Sequence, residues 1–313
     1  MKSPTAPTPF PTELRPLRPE DLAAVIKLDK QSSGLSRDGY FEKRLQAALQ
    51  KPKQHIQFAL TGPSGLVGFL LARLAGGEFG RPEDVVVLET IGVDPEIRQS
   101  GLGQRMLGGL QQWMGTHEVH GLATQVDWRN HLMLKFLAGA GFSLAPRMIL
   151  ERDLSRLAYP GELEEGEETP QLVRRLKRED LDAIHRIDQR ITGQDRRRYL
   201  ERKLDEALNE SAVQVSLVAE ADGFVVAFAI AKVDFGGFGH VEPAASMDTI
   251  GVDPRFARRG YGRALMAQMV ENLAGLRVER LESEVAAESF SLLRFLYDLG
   301  FGPSQRLCFQ RRV

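Results

Sequence analysis

A long segment that recurs in register leaves few folds open, and this chain has one. Thr90-Ile-Gly-Val-Asp-Pro95 returns as Thr249-Ile-Gly-Val-Asp-Pro254, and Gly101-Leu-Gly103 as Gly260-Tyr-Gly262, at a constant offset of 159 positions. The register extends well outside these motifs. Glu20-Asp21-Leu22 pairs with Glu179-Asp180-Leu181, Asp29 with Asp188, Tyr40 with Tyr199, Leu45 with Leu204, Phe69 with Phe228, and Gly141-Phe142 with Gly300-Phe301. A repeat of this length is a duplicated domain rather than a solenoid unit, and 313 residues suffice for two domains that each bury a core.

Within the first copy, Val85, Val86, Val87, Ile91 and Val93 form an apolar, β-branched run stopped by Asp94-Pro95, which predicts a strand with Glu89 inside it. After a glycine turn, Leu102, Met106, Leu107, Leu110, Trp113 and Met114 recur at helical spacing, so a helix with one apolar face begins near Gly101. The first N–H groups of a helix lack internal acceptors and carry partial positive charge. Glycines there let an anion approach closely, and a pyrophosphate fits such a loop. A Walker loop would need Gly-Lys-Ser/Thr, and a dinucleotide fingerprint a third glycine where Met106 stands.

Around this stretch, the residues predict a strand over 13–18, helices over 19–29 and 38–49, and a hairpin over 56–60 and 66–74. A strand over 122–128 follows, then a helix over 130–140 with Asn130 as N-cap, and strand over 143–154 closing the domain. Tyr40 and Tyr199 open matched helices, as core packing or as a groove wall. The matched loops carrying Phe79-Gly80 and Phe238-Gly239 read as tight connections or a substrate lip.

Arg98-x-x-Gly101-x-Gly103 after a strand ending Val-Asp-Pro, together with this element order, resembles the GCN5-related N-acetyltransferase (GNAT) family. The resemblance covers nearly all of both copies and implies a mixed α/β sheet in each of two tandem acyl-CoA N-acyltransferase domains. It further implies that the sheet splays beside the fourth strand, where Ile91 and Val93 would hydrogen-bond the pantetheine arm of acetyl-CoA as an added strand would. Arg98, Gln99, Ser100, Gly101, Leu102 and Gly103 would cradle the pyrophosphate, and Asn130 would lie near the sulfur. Val252, Gly260 and Gly262 are the second copy's counterparts. That copy has Ala257 in place of the motif arginine and Ser289 in place of Asn130, so the working site is expected in the first domain.

The implied chemistry is direct transfer of an acetyl group from acetyl-CoA to a primary amine, on a small molecule or a protein. An ammonium must lose a proton before it attacks. Glu89 is the candidate base, with burial expected to raise its pKa; its other reading is structural. Asp248 is its counterpart and Asp127 the second choice. Many relatives carry a tyrosine as proton donor four residues before the last Gly-Phe, where this chain has Leu137 and Leu296. The alternative function is therefore an acyl-CoA sensor or interaction module without turnover.

The chain divides as a leader (1–12), a first domain (13–154), an acidic linker (155–170) and a second domain (171–313). Forty-one basic against 42 acidic residues give no field that would draw nucleic acid or an anionic membrane. No run approaches the roughly 20 apolar residues of a membrane span. A single cysteine, Cys308, excludes an internal disulfide, and the protein is expected to be soluble and cytoplasmic. His117-Glu-Val-His120 lacks a third ligand, so no metal is expected.

Overall fold

The computed structural model describes residues 11–76, 83–98, 100–155, 172–211, 213–235 and 243–313. The first ten residues of the leader, the Phe79 and Phe238 loops, Gln99 and the acidic linker beyond Ser155 therefore lie outside the described residues.

The first repeat runs β1 (Glu13–Pro16), α1 (Leu22–Ser33), α2 (Asp38–Gln50), β2 (His55–Gly62), β3 (Gly65–Gly76), β4 (Asp84–Val93), α3 (Leu102–Thr116), β5 (Gly121–Asp127), α4 (His131–Gly139), β6 (Ser143–Leu144) and β7 (Arg147–Asp153). The second repeats this order as β8 (Leu172–Arg175), α5 (Leu181–Thr192), α6 (Arg197–Asp205), β9 (Leu217–Ala221), β10 (Phe224–Phe235), β11 (Pro243–Val252), α7 (Tyr261–Gly275), β12 (Arg280–Ala286), α8 (Phe290–Asp298), β13 (Gly302–Pro303) and β14 (Arg306–Arg312).

Alternation along the central strands explains the layering. Phe69 and Leu71 of β3 pack with α1 and α2 around Val25, Leu28, Phe41 and Leu45. Leu70 and Ala72 face the opposite way, onto Met106, Leu107, Leu110 and Met114 of α3 and Leu137 of α4. A strand buried on both faces reads as a continuous apolar run, as Leu66 to Ala72 does within β3. Phe228 and Ile230 of β10 divide from Ala227, Ala229 and Ala231 in the same way.

Among the described residues two seven-stranded sheets form, in the orders β1-β2-β3-β4-β5-β14-β6 and β13-β7-β12-β11-β10-β9-β8. The last long strands have changed places. β14 pairs antiparallel with β5, from Arg306 opposite Asp127 to Arg312 opposite Gly121, while β7 pairs with β12, from Arg147 opposite Ala286 to Asp153 opposite Arg280. The sequence placed all strand between 143 and 154 in the first domain; only β6 stays there, beside β14. Both last strands follow a Gly-Phe and carry similar alternation, so either satisfies either edge. Each sheet is thus completed by the other half of the chain.

Candidate active site

Parallel pairing of β4 with β5 begins at Val85 opposite Gly121 and stops at Leu88 opposite Thr124, although β4 continues to Val93 and β5 to Asp127. Beyond that point the two strands border an open slot, and Ile91 and Val93 lie on its exposed backbone edge. At its apex, at the last paired position, the Thr124 hydroxyl donates to the Leu88 carbonyl at 2.7 Å. The second repeat has the same feature: β11 and β12 pair only from Ala244 to Ser246, and the Ser283 hydroxyl donates to Met247 O at 3.2 Å.

A bulge sits just past each apex. Opposite β3, Leu71 pairs with Thr90 and Ala72 with Leu88, leaving Glu89 as the extra residue. In β11 the residue passed over is Asp248, between Met247 and Thr249. Such an insertion re-aims its side chain and ends regular pairing.

Glu89 is thereby turned into a buried ion-pair cluster. Its carboxylate receives the Arg73 Nε at 3.0 Å and pairs with the Arg44 guanidinium, which also contacts His55 Nδ1. Burial favours the neutral acid, as expected from the sequence, but Arg44, Arg73 and Lys232 outweigh it and hold the pKa below the usual carboxylate range. The expected upward shift is therefore corrected. Burial and Arg44 in turn push His55 down to about 4.

Lys203 reproduces Arg44 at the offset of 159 and binds Asp248 and Glu206, each at 2.9 Å. The sequence matched Asp248 to Glu89 but did not single out Arg44 and Lys203, because Arg→Lys is not an identity. The signal was charge at matched positions. Tyr40 and Tyr199 are core residues whose hydroxyls reach the bulges, at Thr90 Oγ1 (3.4 Å) and Asp248 O (3.3 Å).

The predicted anion turn sits where β4 ends. Asp94 caps the short turn at Pro95–Ile97 by accepting from the Glu96 N–H, and Gly101 starts α3 at φ 79°, a left-handed conformation suited to glycine. Leu102 is buried as the first apolar anchor of α3. A Cβ at Gly103 would stand 2.8 Å from the Phe136 ring, so this glycine lets α3 approach α4. Arg98 is exposed at the turn, and the Ser100 hydroxyl donates to Ile97 O at 2.6 Å, leaving anion contacts to its backbone. Asn130 caps α4 by accepting from Met133 N at 3.1 Å. Asp127 is engaged by Arg129 at 2.6 Å.

The second turn has Gly260 at φ 84° and Gly262 near Phe295, but it is tied down differently. Arg255 and Arg190 hold Asp253, lowering its pKa to about 2. Ser289 makes no side-chain cap, and Val252 keeps its place at the end of β11. Where family resemblance looks for a tyrosine, Leu137 and Leu296 are fully buried.

A splayed sheet, a bulge at its apex and a glycine-led helix beside it, present twice, define an acyl-CoA N-acyltransferase fold. The acetyltransferase (GNAT) family model matches residues 22–142 and 180–301. The chain belongs to the GNAT family.

The [ribosomal protein bS18]-alanine N-acetyltransferase of Salmonella typhimurium is 32% identical over 96 residues, which are 31% of this chain and 60% of that protein. Its Escherichia coli K12 counterpart is 29% identical over 129 residues, 41% of this chain and 79% of that one. Among solved structures, a tandem GNAT protein from the clavulanic acid biosynthesis pathway superposes with TM-score 0.69 at 13% identity, covering 96% of this chain and 98% of that one. A Sphaerobacter thermophilus GCN5-related N-acetyltransferase gives 0.66 at 17%, covering 97% and 96%. These likenesses establish the tandem fold. GNAT proteins use acetyl-CoA as co-substrate, and no helix among the described residues is long and apolar enough to cross a membrane.

Proposed function

We propose that this protein transfers the acetyl group of acetyl-CoA to a primary amine, with the chemistry in the first repeat. The observation that carries the reading is the open β4 edge running directly into the Gly101 turn. An extended pantetheine would lie along Ile91 and Val93, and the pyrophosphate would meet the N-terminus of α3 with Arg98 beside it. The second repeat offers the same slot with Ala257 and Ser289, and is read as the weaker site. The relatives named for acetylating an alanine amine bring a protein or peptide α-amino group into the acceptor class, alongside small amines.

In the reaction the amine lone pair attacks the thioester carbonyl. The tetrahedral intermediate then collapses, the C–S bond breaks, and CoA leaves as thiolate. Glu89, held ionised by two arginines, is assigned the structural task of pinning α2 to the bulge. The amine's proton then passes to water, and the pH dependence of kcat/KM should follow the acceptor's own ammonium pKa.

Native mass spectrometry with acetyl-CoA, on the wild type and Arg98→Ala, tests the reading. One adduct weakened by the substitution is expected, with CoA release on adding amines. Two adducts, one untouched by the change, would overturn the asymmetry, and none would overturn the transferase reading. The buried leucines 137 and 296 favour a second reading, an acyl-CoA sensor, for which adducts would form and no amine would release CoA.

A further inference from the structure

We propose that the acceptor side of the first slot is completed by the second repeat, through Gln305 acting on Trp128. The indole face would bind the apolar carbon skeleton next to the reacting amine. This rests on the reading that the first slot is the working one.

Trp128 directly follows β5, which forms one wall of the slot, and stands two residues before the Asn130 cap of α4. Gln305 directly precedes the exchanged β14. Its backbone carbonyl accepts the Trp128 N–H at 3.0 Å, and its side-chain oxygen accepts the indole N–H. With both polar groups engaged, the ring is fixed in orientation, yet 49% of the residue remains exposed. A tryptophan whose N–H is satisfied and whose face is open presents a large apolar surface to whatever enters beside it.

The second repeat shows that strand exchange does not need this pair. There the positions of Trp128 and Gln305 are taken by Ala287 and Pro146, and the backbone bond alone persists, from Ala287 N to Pro146 O at 2.9 Å. The side-chain latch thus exists only at the slot that keeps Arg98 and Asn130. Arg306, the next residue, ties the start of β14 to both sheets. It is buried, donates to Gln125 Oε1 on β5 at 2.9 Å and pairs with Glu282 on β12. Gln305 is accordingly a positioning residue and Trp128 the contact residue. The geometry favours amines flanked by apolar carbon over polyhydroxylated or anionic ones.

Trp113 and Trp128 are the only tryptophans, so Trp113→Phe isolates the emission of Trp128. In that background, with CoA present, titration with alaninamide or butylamine should change Trp128 emission saturably, and glucosamine should not. In steady-state assays Trp128→Ala should raise the acceptor KM about tenfold, with the acetyl-CoA KM within about twofold of wild type. Gln305→Ala should raise the acceptor KM about threefold, Gln305→Glu, which keeps an oxygen acceptor, should restore it, and Gln305→Ala should add nothing once Trp128→Phe has removed the indole N–H. Unchanged acceptor KM in Trp128→Ala, or equal changes for both substrates, would overturn the proposal. If Trp128→Ala does not fold, Trp128→Phe paired with Gln305→Ala carries the test. Absence of acetyl-CoA adducts would defeat the transferase reading separately, and the emission titration would still decide whether the indole meets amines.

Discussion

Beside Glu206, whose place in the first repeat is taken by Ala47, His55 is one of the residues that distinguish the two clusters. In the second repeat its position is held by Gln214, a neutral side chain, whereas His55 lies against Arg44 with its pKa pushed down to about 4 by burial and that neighbour. The unfolded chain takes up the proton near pH 6.5 and the folded chain resists until about 4. Stability should therefore be full above pH 6.5, fall as the pH drops, and level off below 4. The loss is on the order of 3 kcal/mol across that window. His55→Gln should flatten this segment of a denaturant-derived stability profile; a profile as steep as wild type would show that other groups carry it.

Glu89 makes the opposite case. Glu89→Gln removes the counter-charge of Arg44 and Arg73 and should cost roughly 3–5 kcal/mol by chemical denaturation. Under the proposed chemistry, the pH limb of kcat/KM should stay where it was. A limb that disappears would restore Glu89 as the base.

At the level of elements, the slot depends on how β4 and β5 are kept apart. The Thr124 hydroxyl satisfies Leu88 O where pairing ceases. Thr124→Val keeps the shape and removes this hydrogen bond, which should cost about 0.5–1.5 kcal/mol. It should also weaken acetyl-CoA binding measured by calorimetry, because the slot edges lose their fixed separation. Unaltered affinity would mean that the apex does not set the slot.

The strands, the helices and the glycine turn were legible in the sequence, since β-branched runs, helical spacing and Gly-x-Gly report local preferences. The position of Glu89 was legible too, but its environment was not. The bulge is a two-strand property, and Arg44 and Arg73 come from α2 and β3, so desolvation appeared in the sequence without the cations that overturn it. The Trp128 to Gln305 pair spans 177 positions and has no counterpart in the second repeat, so the repeat register gave no sign of it.

The exchange of β7 and β14 belongs to the whole molecule, and internal symmetry hid it. When two edges and two strands are alike, a sequence specifies that each edge is filled and leaves open by which strand. The contacts across the centre show the consequence. Gln125 and Glu284, matched residues of the two repeats, hydrogen-bond to each other at 2.6 Å, and Lys51, just past the end of α2, pairs with Asp205 of α6 at 2.6 Å. Electrostatics also crosses the interface, because Lys232 helps hold Glu89 ionised and Arg73 does so for Glu206.

A protease site inserted between Ser155 and Leu172, cut in the folded protein, tests this arrangement directly. The first fragment then carries β7, seated in the second sheet, and the second carries β14, seated in the first. Two seven-residue strands paired along their length would each have to leave a sheet before the fragments could part. The nicked protein should therefore elute at the size of the intact chain at micromolar concentration, and separate only at denaturant levels that unfold the sheets. The same cut in a chain whose sheets each kept their own last strand would leave only side-chain contacts between the halves, and they would separate on dilution. Retained acetyl-CoA binding in the nicked form would add that the exchanged strands, rather than the covalent connection, hold the first slot in shape.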